Sequence, residues 1–134
     1  MGYTISVRKK GMVIQFTGQV SGDDFLSVQN TIFSSENFDG MSYVINDLSQ
    51  AELEDEFFKE IEVIAAISMA ARLSNSKYKK AFVVKDKSNK ERISKAYFEM
   101  GHSNHAIGVF ETQSEAEFFV DSDHNSVALS HRLS

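Results

Sequence analysis

Three short apolar runs, Tyr43–Leu48, Ala81–Val84 and Ile107–Phe110, are each followed by a segment with helical periodicity, and this alternation constrains the fold most. Tyr43–Leu48 does not alternate apolar with polar residues, as expected of a strand covered on both faces. Strands that alternate with helices need crossover connections, which predicts a mainly parallel sheet. Upstream, Tyr3-Thr-Ile-Ser-Val7 does alternate, Lys10-Gly11 marks a turn, and Met12-Val-Ile-Gln-Phe16 follows. This is the pattern of a β-hairpin, and it attaches one antiparallel strand to the sheet.

The helices announce themselves through their starts. Ser21-Gly-Asp-Asp24 has the spacing of a capping box, and Phe25, Val28 and Ile32 recur behind it at helical intervals, predicting a helix to about Ser34. After the break at Phe38-Asp39-Gly40, a long helix is expected from about Glu54 to Leu73. Its inner face carries Phe57, Ile61, Ile64, Ser68 and Ala71, and acids crowd its first turn, where the helix dipole favours them. Ser88-Asn-Lys-Glu91 predicts a third helix through Ile93, Ala96, Tyr97 and Met100, stopped at Gly101. Thr112-Gln-Ser-Glu115 predicts a fourth, with Ala116, Phe119 and Val120 facing inward. The order is ββαβαβαβα, an α/β domain over residues 1–120 with helices packed on a mixed, mainly parallel sheet. Residues 121–134 are mostly polar and read as an extended tail.

Length and composition narrow the chemistry. The chain has 134 residues, the size of one domain with its own core. With no cysteine, it builds no disulfide, thiolate nucleophile or thiolate zinc site. The N-terminal charges Arg8, Lys9 and Lys10 follow the apolar residues, the wrong order for a secretory signal, so a cytoplasmic protein is expected. The longest uncharged stretch, Val63–Ala71, falls far short of the roughly 20 apolar residues of a membrane span. A net charge of −5 argues against nucleic acid. Lys77, Lys79 and Lys80, grouped around Tyr78 before an apolar strand, read as solvated flanks.

A strand hairpin, a first helix begun by Gly22-Asp-Asp24, a strand ending in Asp47-Leu48, and Phe110-Glu-Thr-Gln-Ser-Glu-Ala116 near the end together resemble the SpoIIAA-like family of the STAS-type fold. The resemblance covers about residues 3–120. It implies a bacterial regulatory module resembling the anti-sigma-factor antagonists, which act by binding a protein partner and are released by phosphorylation of a serine at the start of the second helix. In this chain Asp55-Glu56-Phe57 stands where that Asp-Ser-Ser segment would lie, so the phosphoacceptor is missing. Glu56 either mimics a phosphate or, with Glu52, Glu54 and Asp55, stabilises the helix N-terminus. The same acids make a phosphate or nucleotide site at this position unfavourable.

Candidate site residues fall in three groups. Asp47, Ser49, Glu56, Phe57 and Phe58 would form a partner-binding patch over Ser49–Phe58. Ile64, Ile67 and Met69 lie on the apolar second helix, where a small apolar ligand or a second subunit would be accommodated, the former also suggested by a family-level grouping with SEC14-type lipid carriers. Asp47, Asp86 and Glu111 each follow an apolar strand run and, if they converge, would hold Mg²⁺ or Ca²⁺ or act as acid and base. His102 and His105 are an incomplete ligand set in a polar loop, and His124 and His131 lie in the tail. No nucleophile elbow, Gly-rich phosphate loop or metalloprotease motif occurs, and no cofactor is predicted. The leading expectation is a non-catalytic interaction module, as a homodimer or with a protein partner. The alternatives are a carrier of an apolar ligand and, third, a metal-dependent enzyme.

Overall fold

The computed structural model describes residues 1–121, so the expectation of an extended tail and its two histidines lies outside the described residues beyond Asp121. Five strands form one sheet in sequential order: β1 (Gly2–Val7), β2 (Gly11–Val20), β3 (Tyr43–Leu53), β4 (Lys79–Val83) and β5 (Ile107–Phe110). The β1/β2 pair is antiparallel and the other three pairs are parallel. This is the mixed α/β arrangement the alternating runs predict. The hairpin turn closes with Arg8 N–H donating to the Gly11 carbonyl. A Cβ at Gly11 would collide with the Tyr43 backbone and ring, so only glycine lets β2 enter the sheet this close to β3.

Three helices, α1 (Gly22–Phe33), α2 (Asp55–Ala71) and α3 (Lys87–Glu99), cover one face of the sheet, and α4 (Gln113–Val120) covers β3–β5 on the other. Strand alternation sorts the side chains between the two layers. Ile14, Phe16, Val44, Leu48, Phe82, Val84, Ile107 and Val109 join the larger core beneath α1–α3, while Val13, Ile45, Ala81 and Val83 meet Ala116 of α4 in a smaller one. A run of rings braces the larger core: Phe25 of α1 lies 5.4 Å from Phe16, 5.3 Å from Phe57 and 5.8 Å from Phe82, and Phe82 lies 5.5 Å from Tyr97.

Most of the start signals are used as read. Ser21 Oγ accepts from Asp24 N–H at 3.1 Å, and Thr112 Oγ1 accepts from Glu115 N–H at 3.2 Å. The third differs: α3 starts one residue before Ser88, because Asp86 Oδ1 accepts from Asn89 N–H at 2.9 Å and so provides the cap first. Gly101 ends this helix with a φ of 92°, and the Gly101 and His102 amides donate to the Phe98 and Tyr97 carbonyls in a Schellman arrangement.

Two strands are longer than expected. β2 continues beyond Phe16 to Val20, and β3 does not end at Asp47-Leu48 but runs on to Leu53. Between Gln15↔Asp47 and Thr17↔Gln50 the register shifts by one residue, a bulge in β3 at Leu48-Ser49. The Asp47 carboxylate accepts from Ser49 N–H at 2.9 Å, an amide at the bulge, and the strand resumes beyond it.

Candidate functional site

The residues singled out in the sequence are not gathered on one surface. Asp47 is buried on β3 with its side chain turned onto the bulge, and Ser49 beside it is half-buried. Glu56 is exposed in the first turn of α2, where the Glu54 cap residue offers no side-chain hydrogen bond. Phe57 is fully buried in the core, and Phe58 is roofed by the Arg92 guanidinium 3.7 Å from its ring centre. Ile64 is a core residue, whereas Ile67 and Met69 lie half-buried on the flank of α2. The segment Ser49–Phe58 therefore presents exposed Gln50, Glu52, Asp55 and Glu56 with no exposed aromatic residue. Asp86 is spent on capping α3, and Glu111 is exposed after β5. Among the described residues, no group of three or more His, Asp or Glu side chains is disposed to hold a metal ion.

Two features that residue type did not announce dominate instead. The first is the lysine expected in solvent. Lys80 is 2% exposed, on the same face of β4 as Phe82, and points into the layer under α1–α3. Its Nζ donates to Gln29 Oε1 of α1 at 2.6 Å and to Ser68 Oγ of α2 at 3.0 Å. Gln29 Nε2 donates in turn to Asn46 Oδ1 of β3 at 3.0 Å, and Ser68 Oγ lies 3.4 Å from the Tyr97 hydroxyl of α3. Each helix of the large layer thus places one polar group around a single amine. The rings of Phe25, Phe33, Phe82 and Tyr97 surround that amine, with centres 5.2–5.7 Å from Nζ.

Both acceptors are neutral, and among the described residues no carboxylate pairs with Lys80. Burial alone drives its pKa down from 10.5 to about 7. The neutral amine has two N–H donors and two acceptors waiting; the charged form has a third N–H, facing the rings, which attract it only weakly relative to water. Burial also pushes the Tyr97 phenol well above its ordinary range, so the ring stays neutral. His102, expected in a polar loop, is buried as well. Its Nε2 lies 2.9 Å from the Ala65 carbonyl and its ring is tilted against Tyr97 with centres 4.9 Å apart; burial lowers its pKa, opposed by the bond to Ala65 and aided by Lys80 and Arg72. Lys79, its neighbour in β4, is buried on the other face, donating to the Phe119 carbonyl of α4 at 3.3 Å. Lys80, with no carboxylate partner among the described residues, is costly to charge where it lies and is held by the surrounding packing.

The second feature is the free edge of the sheet. Every residue of β1 is exposed, and among the described residues β1 has a sheet partner on one side only. Tyr3, Ile5 and Val7 stand opposite Phe16, Ile14 and Met12, so they continue the helix-side apolar layer outward past α1. They remain 49%, 44% and 79% exposed. Edges of this kind are ordinarily blunted by charge or proline, and Gly2–Val7 contains neither.

The fold and these features define an α/β protein with a five-stranded mixed sheet, a lysine-centred polar core and an open apolar edge. No protein-family model matches the chain, and no curated protein matches it either. Among the described residues no helix is long and apolar enough to cross a membrane.

Proposed function

We infer that this protein is a non-catalytic interaction module, of the regulatory kind its resemblance to the STAS-type antagonists implies, and that it works as a homodimer joined edge to edge through β1. The observation supporting this reading is the uncovered β1 edge with its row of Tyr3, Ile5 and Val7. A second copy is the occupant that suits this strand. Placed antiparallel with Ile5 facing Ile5 across a two-fold axis, Tyr3 meets Val7 on the apolar side and Thr4 meets Ser6 on the polar side. The cationic turn Arg8-Lys9-Lys10 of each copy then lies at opposite ends of the joint, away from its like. The outer face of α2 is a poorer candidate: its exposed apolar residues are Val63 and the small Ala66 and Ala70, and a helix face brings no unpaired backbone groups.

Sedimentation equilibrium on the wild type and on Ile5→Lys tests the reading. A concentration-dependent dimer that the substitution converts to a folded monomer supports it. A wild type that stays monomeric, or a dimer indifferent to Ile5→Lys, overturns the β1 joint. A monomer that takes up a strand from another protein would keep the interaction module and remove the homodimer.

A further inference from the structure

At the amino ends of the parallel strands, opposite the end where α/β proteins usually hold ligands, an open cleft of about 980 Å³ is formed. Lys9 and Lys10 reach it from the β1/β2 turn, Arg72 from the C-terminus of α2, and Lys77 and Lys79 from the approach to β4. Among the described residues, the lining sets one carboxylate, Asp121, beside these cations. The whole chain has 14 Lys and Arg against 19 Asp and Glu, so more than a third of its cationic side chains converge here in a protein that is acidic overall. Such a concentration in a concave site focuses positive potential outward and draws anions in.

Hydrogen bonds tie the floor of the cleft, and long exposed side chains form its rim. Arg72 donates to the Ser76 carbonyl at 3.2 Å and to the Tyr78 carbonyl, fixing the loop that carries Lys77. Lys79 is held against α4 through the Phe119 carbonyl and ring. Lys9, Lys10 and Lys77 are exposed at the mouth, where long side chains adjust to a ligand. Neutral donors stand among the charges: the hydroxyls of Ser42 and Ser76, and the Tyr43 phenol, which burial and Asp121 keep protonated. Point cations interleaved with hydroxyl donors match an oxyanion carrying several charges. The volume lies at the upper end of the range for small-molecule sites and exceeds what one inorganic phosphate needs.

We propose that this cleft binds a small molecule or headgroup bearing two or more phosphates. Calorimetric titration of the full chain with inorganic tripolyphosphate, and with citrate as a carboxylate control, tests it. Saturable binding of tripolyphosphate is expected, weakened about tenfold or more by Lys9→Glu with Lys10→Glu and separately by Lys77→Glu. These side chains are exposed, so unchanged circular dichroism separates lost binding from lost folding. Sedimentation with vesicles containing a bisphosphorylated phosphoinositide decides the source: binding to vesicles beyond that to free tripolyphosphate assigns a lipid headgroup, and equal or weaker binding assigns a soluble polyphosphate. No binding of either, equal binding of citrate, or affinity unmoved by the charge reversals would overturn the proposal.

Discussion

Lys80 Nζ lies 2.6 Å from the neutral Gln29 Oε1, and the lysine shares its chamber with four aromatic rings and no paired carboxylate among the described residues. Because the folded-state pKa is depressed from 10.5 to about 7, the unfolded chain binds more protons than the folded one anywhere between those values. Stability lost to the buried charge is therefore at its greatest below pH 7 and is regained as pH rises toward 10.5.

Urea unfolding between pH 7 and 9.5 should accordingly show stability increasing with pH, by up to about 1.4 kcal/mol per pH unit from this one group. The variant Lys80→Met should flatten that rise, gaining on the wild type at pH 6 relative to pH 9.5. His102, whose pKa is also lowered by burial, adds a loss of stability as pH falls below about 6.5. A wild-type curve flat from pH 7 to 9.5 would show that Lys80 is not buried as described.

Ser68 gives Lys80 its second acceptor and lies near the Tyr97 hydroxyl. Replacing it with alanine leaves one amine hydrogen without a partner in a dry layer. The expected cost is about 1–3 kcal/mol, read as a lower urea midpoint with an unchanged slope. An unchanged midpoint would mean that water or another group satisfies the amine.

Gly101 holds a φ of 92° at the end of α3 and positions His102 against Tyr97. Alanine there meets only the Met69 methyl at an ordinary 3.5 Å, so the penalty is conformational and not steric crowding. Gly101→Ala should lower stability by about 1–2 kcal/mol. A variant as stable as the wild type would show that the helix end relaxes freely.

The layer order was legible because helical and strand periods differ and because cap signals punctuate the chain. β3 outran its expected end because a bulge capped by Asp47 lets the strand resume beyond Ser49, and apolar run length alone carries no sign of that. Residue type alone misses the polar core, because lysine before a strand is commonly solvated. Register held the missing signal. Lys80 shares a strand face with Phe82 and Val84, Gln29 follows Phe25 by one helical turn, Ser68 follows Ile64 likewise, and Asn46 stands between Val44 and Leu48 on the helix-side face of β3. Four polar residues on four buried faces meet one another, with Asn46 Nδ2 left without a partner. The β1 edge was legible as an alternating strand, but its exposure depends on where α1 stops covering the sheet, a tertiary fact.

Amide hydrogen exchange of β1 as a function of protein concentration tests the edge-to-edge homodimer most directly, since it reads the backbone groups that the joint would occupy. The outward-facing amides of Gly2–Val7 should slow as concentration rises, and Ile5→Lys should restore fast exchange. Fast, concentration-independent exchange along β1 in the wild type would contradict it.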